Sequence, residues 1–82
     1  MIGDQLIAMI TAEVSLDPSH EITLETDLLL TGLVDSLGVV QIVGWIEDEL
    51  GLEVDPLDVV LDNFQTVGQM VAYVERQRVA QS

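Results

Sequence analysis

Apolar residues recur at intervals of three and four along three stretches of the 82-residue chain, which is the spacing of one face of an α-helix. These stretches predict helices over Ile2–Val14, Ser36–Leu50 and Val67 to about Arg78. The apolar stripes are Ile2, Leu6, Met9, Ile10 and Val14; Val39, Ile42, Val43, Ile46 and Leu50; and Val67, Met70, Val71 and Val74, with Tyr73 on the flank of the last. Three such stripes bury one another most simply in a helical bundle.

Residues with capping chemistry lie at the ends of these helices. Asp35 is placed to cap the second helix, and Gly51 is placed to end it. Thr66 is placed to cap the last helix. The first helix is expected to end near Ser15, shortly before the first proline.

Two segments between the long helices have less regular patterns. Residues 15–35 fit no single period, and we expect this loop to be held to the core by its leucines, with Asp27 capping a short turn over Leu28–Thr31. Asp55-Pro56 predicts the start of a short third helix. Val59, Val60 and Leu61 are expected inside that helix, and residues 63–65 are expected to end it.

The predicted fold class is therefore all-α. We expect a four-helix bundle with three longer helices, a short third helix and a long first loop. A chain of this length has surface and volume for one core, so residues 1–82 are predicted to form a single domain.

Composition excludes several functional classes. The chain has no cysteine, which rules out disulfides, thiolate catalysis and cysteine-based zinc sites. Fifteen acidic residues against two arginines and no lysine give a formal net charge of −13, which repels nucleic acid and anionic membranes and attracts a basic partner surface. No apolar run approaches the ~20 residues of a membrane span, and the N-terminus lacks the basic start of a signal peptide. We expect a monomeric cytoplasmic protein.

Catalytic and metal-binding residues are not predicted. His20 is the only imidazole, and it lies in a polar turn. Glycine-rich phosphate loops are absent. The acidic residues Asp55, Asp58 and Asp62 lack the spacing of an EF-hand, which leaves loose calcium binding as an alternative.

The tripeptide Asp35-Ser36-Leu37 places a hydroxyl in the first turn of the second helix. The amide groups and positive dipole at a helix N-terminus suit an attached phosphate. The same tripeptide is also an ordinary helix start, so spacing alone leaves both interpretations open.

Residues 32–51, GLVDSLGVVQIVGWIEDELG, resemble the attachment site of acyl and peptidyl carrier proteins, whose signature is Asp-Ser-Leu at the start of the second helix. The resemblance covers nearly the whole chain. It includes Thr26-Asp27-Leu28 upstream of the site and Asn63-Phe64-Gln65-Thr66-Val67 before the last helix.

The resemblance implies a non-catalytic carrier. Ser36 would receive 4′-phosphopantetheine from coenzyme A as a phosphodiester, with Asp35 and Leu37 beside it, through a separate Mg²⁺-dependent phosphopantetheinyl transferase. The prosthetic thiol would hold a cargo as a thioester. The implied partners are that transferase, an acyl- or aminoacyl-adenylating ligase, and a downstream acyltransferase, condensation enzyme or synthase.

Two positions separate this chain from the fatty-acid branch of the family. Carriers of that branch usually have carboxylates two and five residues after the serine, where this chain has Gly38 and Gln41. The chain looks more like free-standing carriers of D-alanyl, aminoacyl or lipopeptide-starter groups, in pathways of secondary-metabolite, nonribosomal-peptide or lipopeptide type. The alternatives are a fatty-acid or polyketide carrier and, in another class, an unmodified acidic helical adaptor.

The outward side of the second helix is the predicted docking face for partners. Glu47, Asp48 and Glu49 lie near its C-terminal end, where the helix dipole disfavours negative charge, so a partner surface would explain them. The predicted partner-binding residues are Leu37, Val40, Gln41, Gly44, Glu47 and Asp48.

Overall fold

The computed structural model of the protein describes residues 1–81, and its regular elements are all helical, as predicted. Helix α1 is Ile2–Met9, and it continues into a π-helical turn, Ile10–Val14. Helix α2 is Ser36–Leu50. A 3₁₀ turn, Pro56–Asp58, precedes the short helix α3, Leu61–Phe64. Helix α4 is Val67–Gln81.

The π-helical turn that follows α1 packs against α2. The Ser15 N–H donates to the Ile10 carbonyl at 2.7 Å, and Ser15 itself is extended, so the helix ends where predicted. The adjoining Val14 is buried beside Gly38 of α2. A Cβ at Gly38 would lie 2.8 Å from a methyl group of Val14 and 2.8 Å from one of Val34. Glycine at this position therefore permits the close approach of α1, the loop and α2.

Helix α2 has the predicted ends and the predicted faces. The Asp35 carboxylate accepts the Gly38 N–H at 2.8 Å, and Gly51 ends the helix in the left-handed conformation at φ 66°. The inner side of the helix packs into the core through the buried Ile42 and Ile46 and the half-buried Val39, Val43 and Leu50.

The loop over residues 15–35 is held by hydrogen bonds as well as by apolar contacts. The Asp27 carboxylate accepts the N–H groups of Leu29 at 3.2 Å and Leu30 at 2.9 Å, which confirms the predicted turn. Its second oxygen accepts the Gln65 side-chain amide at 2.9 Å, while the Leu28 N–H donates to the Gln65 carbonyl. The apolar side chains of this loop that enter the core are Ile22, Leu28, Leu33 and Val34.

The third helix is interrupted where a continuous one was predicted. Helical structure starts at the Asp-Pro pair and residue 61 is helical, as predicted, but Val59 and Val60 lie outside any helix, with Val60 extended at φ −131° and ψ 163°. The break predicted at residues 63–65 is wrong in part, because the helical turn that begins at residue 61 continues through residue 64. The Asp58 carbonyl accepts both the Val60 N–H and the Asn63 side-chain amide, which turns the chain away from a continuous helix. Burial of Phe64 then places the helical turn later than the Asp-Pro signal indicates.

Helix α4 begins as predicted and ends three residues later than expected. Thr66 Oγ1 accepts the Gln69 N–H and Gln69 Oε1 accepts the Thr66 N–H, each at 3.1 Å, so the two residues cap the helix reciprocally. Tyr73 is 2% exposed rather than on a flank, because its ring packs against Phe64 and its hydroxyl has a polar partner. The buried residues of α4 are Val67, Met70, Tyr73 and Val74.

A helix that crosses a bilayer needs about 20 mostly apolar residues. None of the helices in residues 1–81 is both long enough and apolar enough to do so.

Candidate functional site

Ser36 is the first residue of α2, and its side chain is exposed. The N–H groups in the first turn of a helix have no partners within that helix. Asp35 satisfies that of Gly38, while Val39 donates to the Asp35 carbonyl at 3.0 Å. The amides of Ser36 and Leu37 remain at the helix N-terminus beside the hydroxyl. This is a suitable environment for a phosphodiester on Ser36.

Asp35 stabilises the backbone at the start of α2. Its carboxylate oxygen bonds to an amide three residues ahead, which fixes the first turn and keeps Ser36 at its edge. The neighbouring Leu37 is 69% exposed, and Val40, one turn further, is 65% exposed. The predicted triplet thus combines a fixed cap, a free hydroxyl and an exposed apolar side chain.

The other predicted docking residues share the outward side of α2 but differ in environment. Gln41 and Asp48 are exposed, while Gly44 is half-buried. Glu47 accepts the Val54 N–H at 3.1 Å, so its carboxylate holds the chain that follows α2. This contact gives Glu47 a structural reason to lie at the C-terminal end of the helix. Asp48 lies roughly 18 Å from Ser36 along the axis, at ~1.5 Å per residue.

Charge is distributed unevenly around Ser36. From Leu28 to Ile46 the only charged residue is Asp35, in a chain with fifteen acidic residues. The acids of α2 follow Ile46. The surface nearest Ser36 is therefore apolar and weakly charged compared with the rest of the molecule.

A groove of about 590 Å³ opens beside Ser36, and we call it the Ser36 groove. One wall comes from the first loop, the floor from α2, and the other wall from the segment around α3. Its lining is Leu29, Gly32, Val34, Asp35, Ser36, Val39, Val40, Val59, Val60, Leu61 and Phe64. Apart from Asp35 and Ser36 the lining is apolar or glycine, so the groove suits an uncharged, largely aliphatic group.

The Ser36 groove was not predicted from the sequence. The signal available was indirect: two short apolar runs, residues 28–30 and 59–61, fit no helical stripe. Nothing in the sequence indicated that Leu29 of the first run and all three residues of the second would line one groove with Ser36.

Two of the carboxylates considered for metal binding have structural roles. Asp55 caps the 3₁₀ turn by accepting the Leu57 N–H at 2.9 Å, and Asp58 accepts the Tyr73 hydroxyl at 2.8 Å. Asp62 is exposed. Over residues 1–81 no three carboxylate or imidazole side chains are arranged to hold a metal ion. His20 is exposed in the first loop, and its backbone N–H donates to the Asp17 carbonyl.

The Ser36 environment fits a covalently attached phosphopantetheine, since it offers a free hydroxyl, helix N-terminal amides and an adjoining apolar groove. A family model described as phosphopantetheine attachment site matches residues 4–74, which is most of the chain and includes the whole groove. The comparison with curated proteins finds no significant match. Domains of the matched family are carriers that work with phosphopantetheinyl transferases and synthase-type enzymes. The chain belongs to the phosphopantetheine attachment site family, whose members carry 4′-phosphopantetheine covalently.

Proposed function

We propose that Ser36 is the attachment residue and that the chain is a non-catalytic carrier of acyl or aminoacyl groups. The observation that supports this most strongly is the exposed Ser36 hydroxyl at the capped start of α2, within the residues that match the family. In the attachment reaction the Ser36 oxygen would form the new phosphodiester bond to coenzyme A's pantetheine phosphate. Adenosine 3′,5′-bisphosphate would leave, and the hydroxyl proton would pass to a base of the transferase.

When bound, 4′-phosphopantetheine supplies the thiol to which a cargo is joined as a thioester. The chain's own residues then have three roles. Asp35 fixes the helix start, the Ser36 groove offers apolar surface near the attachment point, and the outward side of α2 meets partners. A chain without cysteine or lysine also has no side-chain thiol or ammonium that could attack the thioester.

Intact-mass measurement after incubation with coenzyme A and a broad-specificity phosphopantetheinyl transferase tests the carrier function. A carrier gains one phosphopantetheine. The rival function, an unmodified acidic adaptor, requires that the mass stays constant. Coenzyme A without transferase is the control.

For the cargo we favour an acyl or aminoacyl group delivered in a pathway of secondary-metabolite, nonribosomal-peptide or lipopeptide type. Support comes from Gly38 and Gln41 at positions where fatty-acid carriers usually have carboxylates. The contacts of Gly38 explain one of these differences, because Val14 and Val34 leave no space for a side chain there. An adenylating ligase would load the arm, and an acyltransferase, condensation enzyme or synthase would receive the cargo.

A fatty-acid or polyketide carrier is the second candidate, and the Ser36 groove is the observation that favours it. An apolar groove stabilises an aliphatic chain more than a short aminoacyl group with an ammonium. Loading octanoyl- and alanyl-pantetheine onto the same chain would distinguish the two. A thermal midpoint raised by the octanoyl group alone favours an aliphatic cargo, and equal midpoints favour the aminoacyl assignment.

The docking face is proposed to be the outward side of α2. Leu37, Val40 and Gln41 surround the attachment point, and Gly44, Glu47 and Asp48 continue the face towards the acidic end. We further propose that residues 1–82 act as one monomeric carrier domain in the cytoplasm. Size-exclusion chromatography with light scattering checks the monomer.

A further inference from the structure

The wall of the Ser36 groove formed by Val59, Val60 and Leu61 has little regular structure of its own. Val59 and Val60 lie between the 3₁₀ turn and α3, and Val60 and Leu61 are exposed over almost half of their surface. Val59 packs against the core, but the side chains of Val60 and Leu61 have little burial to hold them in place. The position of the wall therefore depends on what fixes the turn before it and the helix after it.

Tyr73 of α4 fixes the turn before the wall. Its hydroxyl donates to Asp58 Oδ2 at 2.8 Å, and the Asp55 backbone lies near the same phenol oxygen. Burial and the Asp58 carboxylate raise the pKa of Tyr73 to about 12, so the phenol keeps its proton at neutral pH. One buried hydroxyl is thus bonded to the last residue of the turn.

A second set of contacts fixes the helix after the wall. The Asn63 side chain donates to the Asp58 carbonyl at 2.9 Å, and Arg76 Nη2 donates to Asn63 Oδ1 at 3.1 Å. The Arg76 guanidinium also lies 5.9 Å from the centre of the Tyr73 ring. Both ends of the wall are consequently joined to one side of α4.

We propose that Tyr73 is a positioning residue that clamps the 55–58 turn to α4 and thereby sets the width of the Ser36 groove. The proposal rests on the proposed function only in that the groove is taken to receive the attached arm or its cargo. Without the hydroxyl, the Asp58 carboxylate loses its hydrogen bond to α4. The Val59–Leu61 wall then moves away from α2. Tyr73 is not part of the groove lining, although its ring packs against Phe64, which is. The hydroxyl acts through Asp58 and the wall.

Amide hydrogen exchange on the unmodified protein tests the clamp independently of any carrier function. The variant is Tyr73→Phe, which keeps the ring against Phe64 and removes only the hydroxyl. The amides of Val60 and Asn63, bonded to the Asp58 and Val60 carbonyls, report on the wall, and Val39 reports on α2. We expect the wall amides to exchange about ten- to a hundredfold faster, as the loss of a hydrogen bond to a charged group implies, with a smaller change at Val39. An acceleration at the wall no greater than at Val39 overturns the proposal.

A dansyl-pantetheine placed on Ser36 by the transferase reports on the groove itself. We expect dansyl emission at longer wavelength in Tyr73→Phe and, to a smaller degree, in Arg76→Gln. Arg78→Gln is the matched control, since it removes the other cation of α4, which pairs with Glu75 at 3.9 Å. Unchanged emission in Tyr73→Phe overturns the proposal. If wild-type chain accepts no dansyl-pantetheine, the proposed function fails, and the exchange measurement still decides whether the clamp exists.

Discussion

Gly38 shows how a single residue shapes the site. A methyl group there would lie 2.8 Å from side-chain carbons of Val14 and Val34, both of which are buried. We predict that Gly38→Ala destabilises the protein by about 1–2 kcal/mol, because overpacking outweighs the gain in helix propensity. Urea denaturation measures the change.

Gly44, two turns further along α2, is the matched control. Apart from the adjoining residues and backbone of α2 itself, no heavy atom lies within 4 Å of the position that its Cβ would take. Gly44→Ala is therefore expected to stabilise the protein by about 0.5–1 kcal/mol through helix propensity alone. Equal effects of the two substitutions would show that the contacts at Gly38 are unimportant.

Asp27 makes the stability of the folded protein depend on pH. The Leu30 N–H and the Gln65 amide, both donating to its carboxylate, hold the pKa of Asp27 below its ordinary value. With a depressed pKa in the folded state, the unfolded state binds more protons, so the stabilisation is present above about pH 4 and is lost as pH falls through the folded-state pKa. We predict that Asp27→Asn flattens the fall in Tm on acidification below pH 4. Glu25→Gln, which removes an exposed charge from the same loop, should leave the fall unchanged; a similar flattening there would remove Asp27 as its cause.

At the scale of the helix, α2 has an outward side with exposed apolar residues next to the attachment point. On the proposed docking face, a transferase that acts on Ser36 would contact the exposed Leu37 and Val40. We predict that Val40→Gln lowers kcat/KM for phosphopantetheinylation about five- to thirtyfold, which corresponds to about 1–2 kcal/mol for an apolar interface residue. The matched control is Val79→Gln in α4, where the valine is 79% exposed. Equal rates for the two variants would argue against α2 as the docking element.

Comparison of α2 with α3 shows which elements could be predicted from the sequence. The ends of α2 and the start of α4 depend on local chemistry at Asp35, Gly51 and Thr66, so the sequence placed them correctly. The α3 region depends on Tyr73, fifteen residues after Asp58, and on the burial of Phe64. Local signals such as Asp-Pro do not contain that information.

The candidate site also combines features that local sequence predicts with features that depend on tertiary packing. The exposure of Ser36 follows from its place after a capping aspartate, which the sequence predicted. The groove beside it combines the first loop, α2 and the α3 region, and only tertiary packing brings these together. The hydrogen bond from the Val54 N–H to Glu47 could not be predicted for the same reason, because it spans the turn after α2. The docking role of Glu47 stays a prediction.

At the scale of the molecule, a net charge of −13 on 82 residues opposes compaction. Within residues 1–81 one pair of opposite charges lies within 4.0 Å, Arg78 with Glu75, and both side chains are largely exposed. We predict that 0.5 M sodium chloride raises Tm at pH 7 by roughly 4–8 °C, the shift expected for ~1 kcal/mol in a domain of this size. The same salt at pH 4.5, where fewer carboxylates are charged, should have a smaller effect. A Tm independent of salt at pH 7 would show that repulsion is negligible.

The proposed function requires that Ser36, and no other serine of the chain, receives the phosphopantetheine. The most direct measurement is intact mass, followed by peptide mapping, for wild type, Ser36→Ala and Ser19→Ala after treatment with coenzyme A and a phosphopantetheinyl transferase. Ser19 is the control because it is also exposed and its N–H also donates to a nearby aspartate, Asp17. We predict one phosphopantetheine on wild type and on Ser19→Ala, and none on Ser36→Ala, with helical circular dichroism retained in all three. A phosphopantetheine on folded Ser36→Ala, or none on wild type, would contradict it.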